Sequence, residues 1–241
     1  MKKVQVFNES GQDIGWIGNN QKWWFDENHP NSFELFDIDT FYEKNYFKND
    51  HVSQGVVKNY VSHVINYYKQ ITGKNLNSLL EAGCGGGWFT KEFLDRNVDV
   101  FAIEGSICGY DATINRGISK EIIKKHDLRL PINLEKKFDI VCCTEVAEHI
   151  ETPFSATLIK TLVDHSDIIW FSFEPPGTNS AHYHHCNEQP EKFWINLFDF
   201  YDYGYIKVTG QVIIDCEYRA SHIFYNRKKN YNMTLQDSII S

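Results

Sequence analysis

The chain has no long apolar run and no paired cysteines, and each absence excludes a class of protein. None of its apolar stretches approaches the roughly 20 residues that a membrane-spanning helix needs. Its first residues lack the apolar segment of a secretory signal. Its cysteines form no C-x-x-C pair, which argues against a disulfide framework or a structural zinc site. They are residues 84, 108, 142, 143, 186 and 216. These absences predict a protein of the reducing cytoplasm without a membrane segment.

An excess of positive charge is also missing. The 24 Lys and Arg residues are outnumbered by 32 Asp and Glu residues, which gives a formal charge of −8 over 241 residues. Such a chain offers no global attraction to nucleic acid or to an anionic membrane, which argues against a large RNA or DNA substrate. The composition is 42% hydrophobic and 15% aromatic, which suits one folded α/β domain with an extension. It does not indicate the oligomeric state.

The hydrophobic pattern divides the chain into two parts. Residues 1–50 are rich in aromatic residues, Asn and Asp, and we interpret them as an N-terminal extension that serves as a brace or a lid. Within residues 51–241, helical periodicity over 51–71 is followed by alternating strands and helices. The strands are expected near 77–82, 98–103, 120–126, 138–143, 167–173, 205–214 and 220–226, and the helices near 88–96, 107–116, 155–165 and 190–203.

This alternation predicts a Rossmann-like, doubly wound sheet of seven mostly parallel strands with helices on both faces. The last two strands have no helix between them, so we expect an antiparallel hairpin at one edge. Ligands of such sheets bind outside the carboxyl ends of the strands. The residues that follow each strand are therefore the candidates for the functional site.

A glycine-rich run after the first of these strands is the most informative motif. Glu81 is followed by glycines at positions 83, 85 and 87, and then by a helix that begins near Trp88. Glycines permit positive φ and a close approach of ligand to backbone, and the helix start presents unpaired N–H groups. The spacing matches neither the dinucleotide fingerprint nor the P-loop. A purely structural glycine turn is the alternative interpretation.

Three further motifs follow the next strands in order. Glu104 ends the second strand, Asp127 follows the third, and the string E-V-A-E-H at 145–149 follows the fourth. As a set, these motifs resemble the class I S-adenosylmethionine (SAM)-dependent methyltransferases over residues 75 to about 175. The resemblance implies SAM as cofactor and S-adenosylhomocysteine as product. The cofactor-binding residues that it implies are Glu81, Gly83, Cys84, Gly85, Gly87, Trp88, Glu104, Gly105, Asp127, Leu128, Glu145 and Glu148.

In that family the acidic residue and the glycine turn hold the amino-acid end of SAM. The resemblance implies that Glu104 accepts hydrogen bonds from the ribose hydroxyls and that Asp127, beside Leu128, contacts the adenine amino group. It further implies transfer of a methyl group to a small molecule or glycan unit, such as a sugar, through O-methylation. A methyltransferase acting on RNA or protein, and a non-catalytic SAM-fold binding protein, are the alternatives.

The loop after the fifth strand carries three histidines within four residues, at positions 182, 184 and 185. A histidine titrates near pH 6.5 and could take the proton of a hydroxyl acceptor as general base. Our catalytic candidates are His184 and His185, with His149 in reserve. Two alternatives remain: the histidines satisfy loop carbonyls while Asn187 caps the next helix, or they bind a metal with help from residues 145–149. We predict no metal, because no third ligand follows at a recognised spacing.

Overall fold

The computed structural model describes residues 3–7, 13–18, 38–42, 47, 53–177, 185–208 and 221–231. Their strands are β1 (Lys3–Phe7), β2 (Asp13–Gly18), β3 (Ser78–Ala82), β4 (Asp99–Glu104), β5 (Ile123–Lys125), β6 (Ile140–Thr144), β7 (Ile168–Ser172), β8 (Tyr203–Val208) and β9 (Ser221–Asn226). Their α-helices are α1 (Ile38–Phe41), α2 (Gln54–Thr72), α3 (Trp88–Asp95), α4 (Ile107–Asn115), α5 (Ser155–His165) and α6 (Glu191–Phe200). None of these helices has the length and hydrophobicity that a membrane crossing needs.

Strands β3 to β9 form one sheet in the order β5-β4-β3-β6-β7-β9-β8. The first five strands of this order pair in parallel, whereas β9 runs antiparallel to both β7 and β8. The predicted Rossmann-like sheet of seven strands with an antiparallel edge is confirmed. Strands β1 and β2 pair with each other as a separate antiparallel hairpin.

The sheet is covered on both faces, as a buried parallel sheet requires. Helices α5 and α6 contribute Leu158 and Trp194 to one core cluster, which also contains Phe171 of β7. Helices α2 and α3 contribute Tyr60 and Phe93 to a second cluster on other residues of the same strands. All five side chains are fully buried. The two clusters fix the sheet between its helices and thereby place the carboxyl ends of β3, β4, β6 and β7 along one edge.

Helix α2 shows how the sequence defines element ends. Ser53 accepts a hydrogen bond from the Val56 N–H, and Gly73 adopts φ 71° just past the last turn. A serine N-cap and a left-handed glycine C-cap are typical helix boundaries. The predicted helix is confirmed, with its start at Gln54 instead of His51.

Two predicted elements are shorter in the structure. The third strand comprises only Ile123–Lys125, because Ser119 caps a single 3-10 turn over Lys120–Ile122 immediately before it. The last helix ends at Phe200, since Asp202 adopts φ 64° and the chain then enters β8. Of the predicted strand 205–214, residues 209–214 lie outside the described residues.

Candidate active site

The glycine run forms a tight turn between β3 and α3. Gly83, Gly85 and Gly87 adopt φ values of 83°, 54° and 75°, a region that other residues rarely enter. A Cβ atom on Gly85 would lie 3.1 Å from the ring of Phe47. The N–H groups of Gly83 and Cys84 both donate to the carbonyl of Ile103, which fastens the turn to β4. The turn therefore forms a cradle lined by backbone atoms, which a side chain in place of one of these glycines would fill.

Glu104 lies buried at the end of β4 and faces this turn. Its carboxylate accepts hydrogen bonds from the Gly85 N–H (2.8 Å), the Ser106 N–H (2.8 Å) and the Ser106 hydroxyl (2.7 Å). Burial raises the pKa of the Glu104 carboxyl, and the Ser106 and Gly85 donors oppose that rise. A Cβ on Gly109 would lie 2.7 Å from the carboxylate. Ser106 and Gly109, which carry no recognisable motif in the sequence, therefore support the Glu104 carboxylate.

Glu81 is the second buried carboxyl beneath the turn. The hydroxyl of Thr90, on α3, donates a hydrogen bond to it. Burial raises the pKa of Glu81 to about 8, while the Thr90 hydrogen bond lowers it and the charge of Glu104 raises it further. Two buried acidic groups that face one glycine turn form a region that favours a cationic or hydroxyl-bearing ligand.

Other predicted cofactor residues have partners within the protein. Buried Cys84 has its sulfur 3.7 Å from the Thr113 hydroxyl oxygen, and the Arg116 guanidinium stacks on Trp88 with its central carbon 3.0 Å from the ring centroid. Gly105 lies next to the Ile38 side chain, since a Cβ atom added to Gly105 would be 3.5 Å from the nearest carbon of Ile38.

Asp127 pairs with a buried arginine. Arg129 donates from Nη2 to Asp127 at 2.8 Å and from Nη1 to Glu151 at 3.1 Å. Leu128, between them, lies in the core. The ion pair between Arg129 and Glu151 is not apparent in the sequence, because the two residues lie 22 positions apart. The carboxylate of Asp127 is thus held in place before any ligand arrives.

The motif at 145–149 lies at the end of β6. Glu145 adopts φ 53°, an unusual value for a residue other than glycine. Ser172 of β7 fixes it, since the Ser172 hydroxyl donates to the Glu145 carboxylate at 2.7 Å and accepts from the Glu145 N–H at 3.1 Å. A side chain held in this way at a strand end is typical of a functional site.

The structure brings His149 and His185 together from separate segments of the chain. Their ring centroids lie 4.8 Å apart, edge to face. The Nδ1 atom of His185 is 3.0 Å from Glu188 Oε1. The third catalytic candidate, His184, lies outside the described residues, as does His182. Two of the three predicted histidines are therefore neighbours at the carboxyl edge of the sheet.

The alternative interpretation of Asn187 as a helix cap is wrong. Pro190 is the N-cap of α6, and no side chain caps that helix. Asn187 instead donates to the Ala147 carbonyl at 3.2 Å and to the Ser155 hydroxyl at 2.9 Å. The N–H groups of Cys186 and Asn187 both donate to the Glu148 carbonyl. Asn187 thus fixes the histidine loop to the segment after β6. These contacts join residues that are distant in the chain, so only the tertiary structure reveals them.

The segment around α1 crosses the same edge. Asp39 accepts from the Ile107 N–H at 2.5 Å and pairs with Lys125 at 2.8 Å. Tyr42 stacks on Phe47 with ring centroids 5.6 Å apart and meets His149 edge-on at 6.2 Å. Asp39, Tyr42 and Phe47 therefore contact the start of α4, His149 and the glycine turn, respectively.

Comparison with known proteins agrees with this geometry. Residues 57–166 match the profile of a protein family described as a methyltransferase domain. Residues 57–166 therefore form a methyltransferase domain. The predicted family, enzyme class and cofactor are confirmed at this level. No curated protein matches the chain in sequence.

Solved structures show the same fold at low sequence identity. Streptomyces venezuelae DesVI is 12% identical with a TM-score of 0.62, over 79% of this chain and 99% of that protein. Magnesium protoporphyrin IX methyltransferase (ChlM) from Synechocystis PCC 6803, solved with S-adenosylhomocysteine, is 15% identical with a TM-score of 0.54, over 77% and 93%. The small RNA methyltransferase HEN1 is 17% identical with a TM-score of 0.53, over 71% of this chain and 26% of that protein.

Proposed function

We propose that the chain transfers the methyl group of SAM to a hydroxyl of a small molecule or glycan, in the reducing cytoplasm. The observation that carries the hydroxyl assignment is the His149–His185 pair, which lies beside the segment after β6 at the ligand-binding edge. A hydroxyl must lose its proton as the methyl group arrives, so a site for O-methylation needs a proton acceptor. The sulfonium of SAM supplies an activated methyl group.

The residues at the edge of β3 and β4 fit the cofactor. We assign Glu81 and the turn of Gly83, Gly85 and Gly87 to the amino-acid end of SAM, whose ammonium group would pair with a buried carboxylate. The Oε1 atom of Glu104 accepts hydrogen bonds from both the N–H and the hydroxyl of Ser106, whereas its Oε2 atom accepts from the Gly85 N–H. We therefore assign the second lone pair of Oε2 to the ribose hydroxyls. These residues then position the methyl group and exclude water from it. Asp127 and Leu128 are assigned to the adenine.

The histidine pair would handle the proton. Hydrogen bonding of His185 Nδ1 to Glu188 orients its ring, so that Nε2 is the nitrogen we assign to the acceptor hydroxyl. His149 supports the ring from its edge. In the resulting step the acceptor O–H proton passes to Nε2, the oxygen forms a bond to the methyl carbon, and the carbon–sulfur bond breaks. S-adenosylhomocysteine leaves as product.

An RNA acceptor is the second candidate, because HEN1 is described as a small RNA methyltransferase. The formal charge of −8 opposes binding of a polyanion. Transfer of labelled methyl from SAM to a panel of sugars, phenols, short RNA and peptides would separate these acceptors. We expect label in hydroxyl compounds, and label only in RNA or peptide would overturn the proposal.

Replacement of His185 by alanine is expected to slow methyl transfer by about tenfold or more. The minimum effect is set below the roughly 10²–10⁴-fold contribution of a general base because His149 remains nearby. The affinity for S-adenosylhomocysteine, measured by calorimetry, should not change, since His185 lies outside the glycine turn. His126→Ala is the matched control, as that histidine follows β5 and hydrogen-bonds to the Leu130 carbonyl. Full activity of His185→Ala would remove its assignment as base.

We further propose that the extension 1–50 acts as a lid through residues 38–42 and Phe47. Phe47 lies over the glycine turn, and Tyr42 connects it to His149. These two side chains therefore contact both the glycine turn and His149. Closure of such a lid would retain SAM and exclude water from the transfer.

The variant Phe47→Ala is expected to release S-adenosylhomocysteine about tenfold faster, because it removes the ring above Gly85. Stopped-flow displacement with excess unlabelled ligand measures this rate. The fold should be preserved, which a circular dichroism melt checks. The control is Tyr110→Ala, which removes a different aromatic ring, on α4. An unchanged release rate in Phe47→Ala would mean that the extension is a brace.

A further inference from the structure

Glu148, His149 and His185 form a cluster with the chemistry of a metal site. One ligand atom from each lies within 4.8 Å of the others. Glu148 and His149 belong to the 3-10 turn Ala147–His149 after β6, whereas His185 comes from the loop before α6. The loop is fixed beside this turn, because the N–H groups of Cys186 and Asn187 donate hydrogen bonds to the Glu148 carbonyl at 2.9 and 3.0 Å.

The carboxylate of Glu148 gives the second, independent observation. It is fully buried, and within the described part of the chain neither of its oxygens has a hydrogen-bond partner. A buried carboxylate without a donor is costly, so such groups in native proteins call for a partner that the protein itself does not supply. Glu145 and Glu174 add negative charge around it. A cation bound beside Glu148 would supply the partner that its carboxylate lacks.

The surroundings of His185 match those of a metal ligand. Metal-bound histidines commonly have their other ring nitrogen hydrogen-bonded to a carboxylate, which orients the ring. His185 Nδ1 and Glu188 Oε1 stand in this relation at 3.0 Å. His149 packs edge-to-face on His185, so both imidazoles are held close to the Glu148 carboxylate.

We propose that Glu148, His149 and His185 bind one divalent first-row transition cation. Two imidazoles and one carboxylate suit Mn²⁺ through Zn²⁺ better than Mg²⁺ or Ca²⁺, which prefer oxygen ligands. Three protein ligands leave coordination positions for an exogenous oxygen. The inference departs from the sequence analysis, which predicts no metal, because the spacing of 36 residues between His149 and His185 gives no motif.

The role of the cation rests on the proposed function. A cation at this position would lower the pKa of a bound acceptor hydroxyl. In the cation-bound protein the two imidazoles would act as ligands and the proton of the hydroxyl would pass to solvent water, whereas the step through Nε2 of His185 describes the cation-free protein. Binding itself does not depend on that role, so it can be tested on the protein without an acceptor.

The test is calorimetric titration of the chelator-treated full chain with Mn²⁺ and, separately, with Mg²⁺. We expect one Mn²⁺ per chain and an affinity for Mg²⁺ at least tenfold weaker. Electron paramagnetic resonance of unbound Mn²⁺ gives an independent stoichiometry. Glu148→Gln and His185→Ala should each weaken Mn²⁺ binding by more than tenfold, whereas His63→Ala, on α2, should leave it unchanged.

Glu188→Gln provides a variant outside the ligand set. Loss of an orienting carboxylate typically weakens a metal site by about 10- to 100-fold, so this variant should also bind Mn²⁺ less tightly while its melting temperature stays close to that of the wild type. Absence of Mn²⁺ binding by the folded wild type overturns the proposal. Equal affinities in Glu148→Gln, His185→Ala and the wild type, which would indicate adventitious surface binding, also overturn it.

Titration of the same metal-free protein with S-adenosylhomocysteine separates the two proposals. Binding of S-adenosylhomocysteine without Mn²⁺ binding would refute the cation site alone. Mn²⁺ binding that depends on Glu148, without S-adenosylhomocysteine binding, would refute the cofactor assignment and leave the cation site intact.

Discussion

The variant Gly85→Arg is expected to lose S-adenosylhomocysteine binding, with an affinity at least about 100-fold below that of the wild type. Gly85 adopts φ 54°, and a Cβ atom there would meet the Phe47 ring at 3.1 Å. An arginine side chain at this position would fill the cradle that we assign to the amino-acid end of the cofactor. Its charge would also oppose the cofactor's ammonium group. Calorimetric titration measures the loss.

The matched control is Gly117→Arg. Gly117 also adopts positive φ, at 88°, but a Cβ atom there would have no neighbour within 4 Å. Both variants add the same charge and the same left-handed strain of about 1–2 kcal/mol. Only the Gly85 variant blocks the turn, so only it should lose the ligand. Wild-type affinity in folded Gly85→Arg would remove the glycine turn from the cofactor site.

The variant Glu81→Gln is expected to bind S-adenosylhomocysteine at least tenfold more weakly and yet to be the more stable protein at alkaline pH. A charge-assisted hydrogen bond contributes about 1.5–3 kcal/mol, and glutamine cannot supply it to the ammonium group of the ligand. The unliganded protein gains instead, because burial raises the pKa of Glu81 to about 8. Glutamine keeps the acceptor for the Thr90 hydroxyl without the cost of a buried charge.

The pH dependence follows from the direction of this shift. Between the usual pKa of a glutamate and about 8, the folded chain holds a proton on Glu81 that the unfolded chain has released. The stabilisation is therefore complete at acidic pH and is lost as pH rises towards 8, by up to about 1.4 kcal/mol per pH unit. We expect the melting temperature of the wild type to fall more steeply from pH 5.5 to 8.5 than that of Glu81→Gln.

The difference between the two proteins isolates Glu81, since the buried Glu104 and Glu148 remain in both. Glu121→Gln, at an exposed position, makes the same change without burial and should leave the slope unaltered. Parallel pH slopes in the wild type and Glu81→Gln would contradict the raised pKa. Unchanged ligand affinity would instead place the ammonium group elsewhere.

Local patterns in the sequence predict most of the fold. The period of the apolar residues gives α2 and α5, and Ser53 and Gly73 bound the first of these helices. The absence of a helix between β8 and β9 predicts their antiparallel pairing, which the structure confirms. These features depend on neighbours a few residues apart, and for that reason one sequence suffices to find them. The lengths of β5 and α6 were less accurate, because the 3-10 turn before β5 and the positive φ of Asp202 after α6 interrupt the pattern.

The order of the strand-end motifs predicts the methyltransferase domain, and the family match confirms it. Strand ends of a parallel sheet meet at one edge whatever their separation in the chain, which is why Glu81 and Glu104 could be placed in one site from the sequence. The partners that hold them were not predictable. Ser106 and Gly109 support Glu104, and Glu151 reaches Arg129 across 22 residues, through contacts that carry no motif.

By itself, the sequence determined the sheet, its helices and the positions of the acidic and glycine residues at the carboxyl edge, because periodicity and strand ends are local properties. Only the tertiary structure decided that His185 meets His149 and Glu148, that Asn187 anchors the loop instead of capping α6, and that Phe47 covers the glycine turn. Each of these is a contact between segments distant in the chain. Their geometry depends on how two core clusters fix the helices against the sheet.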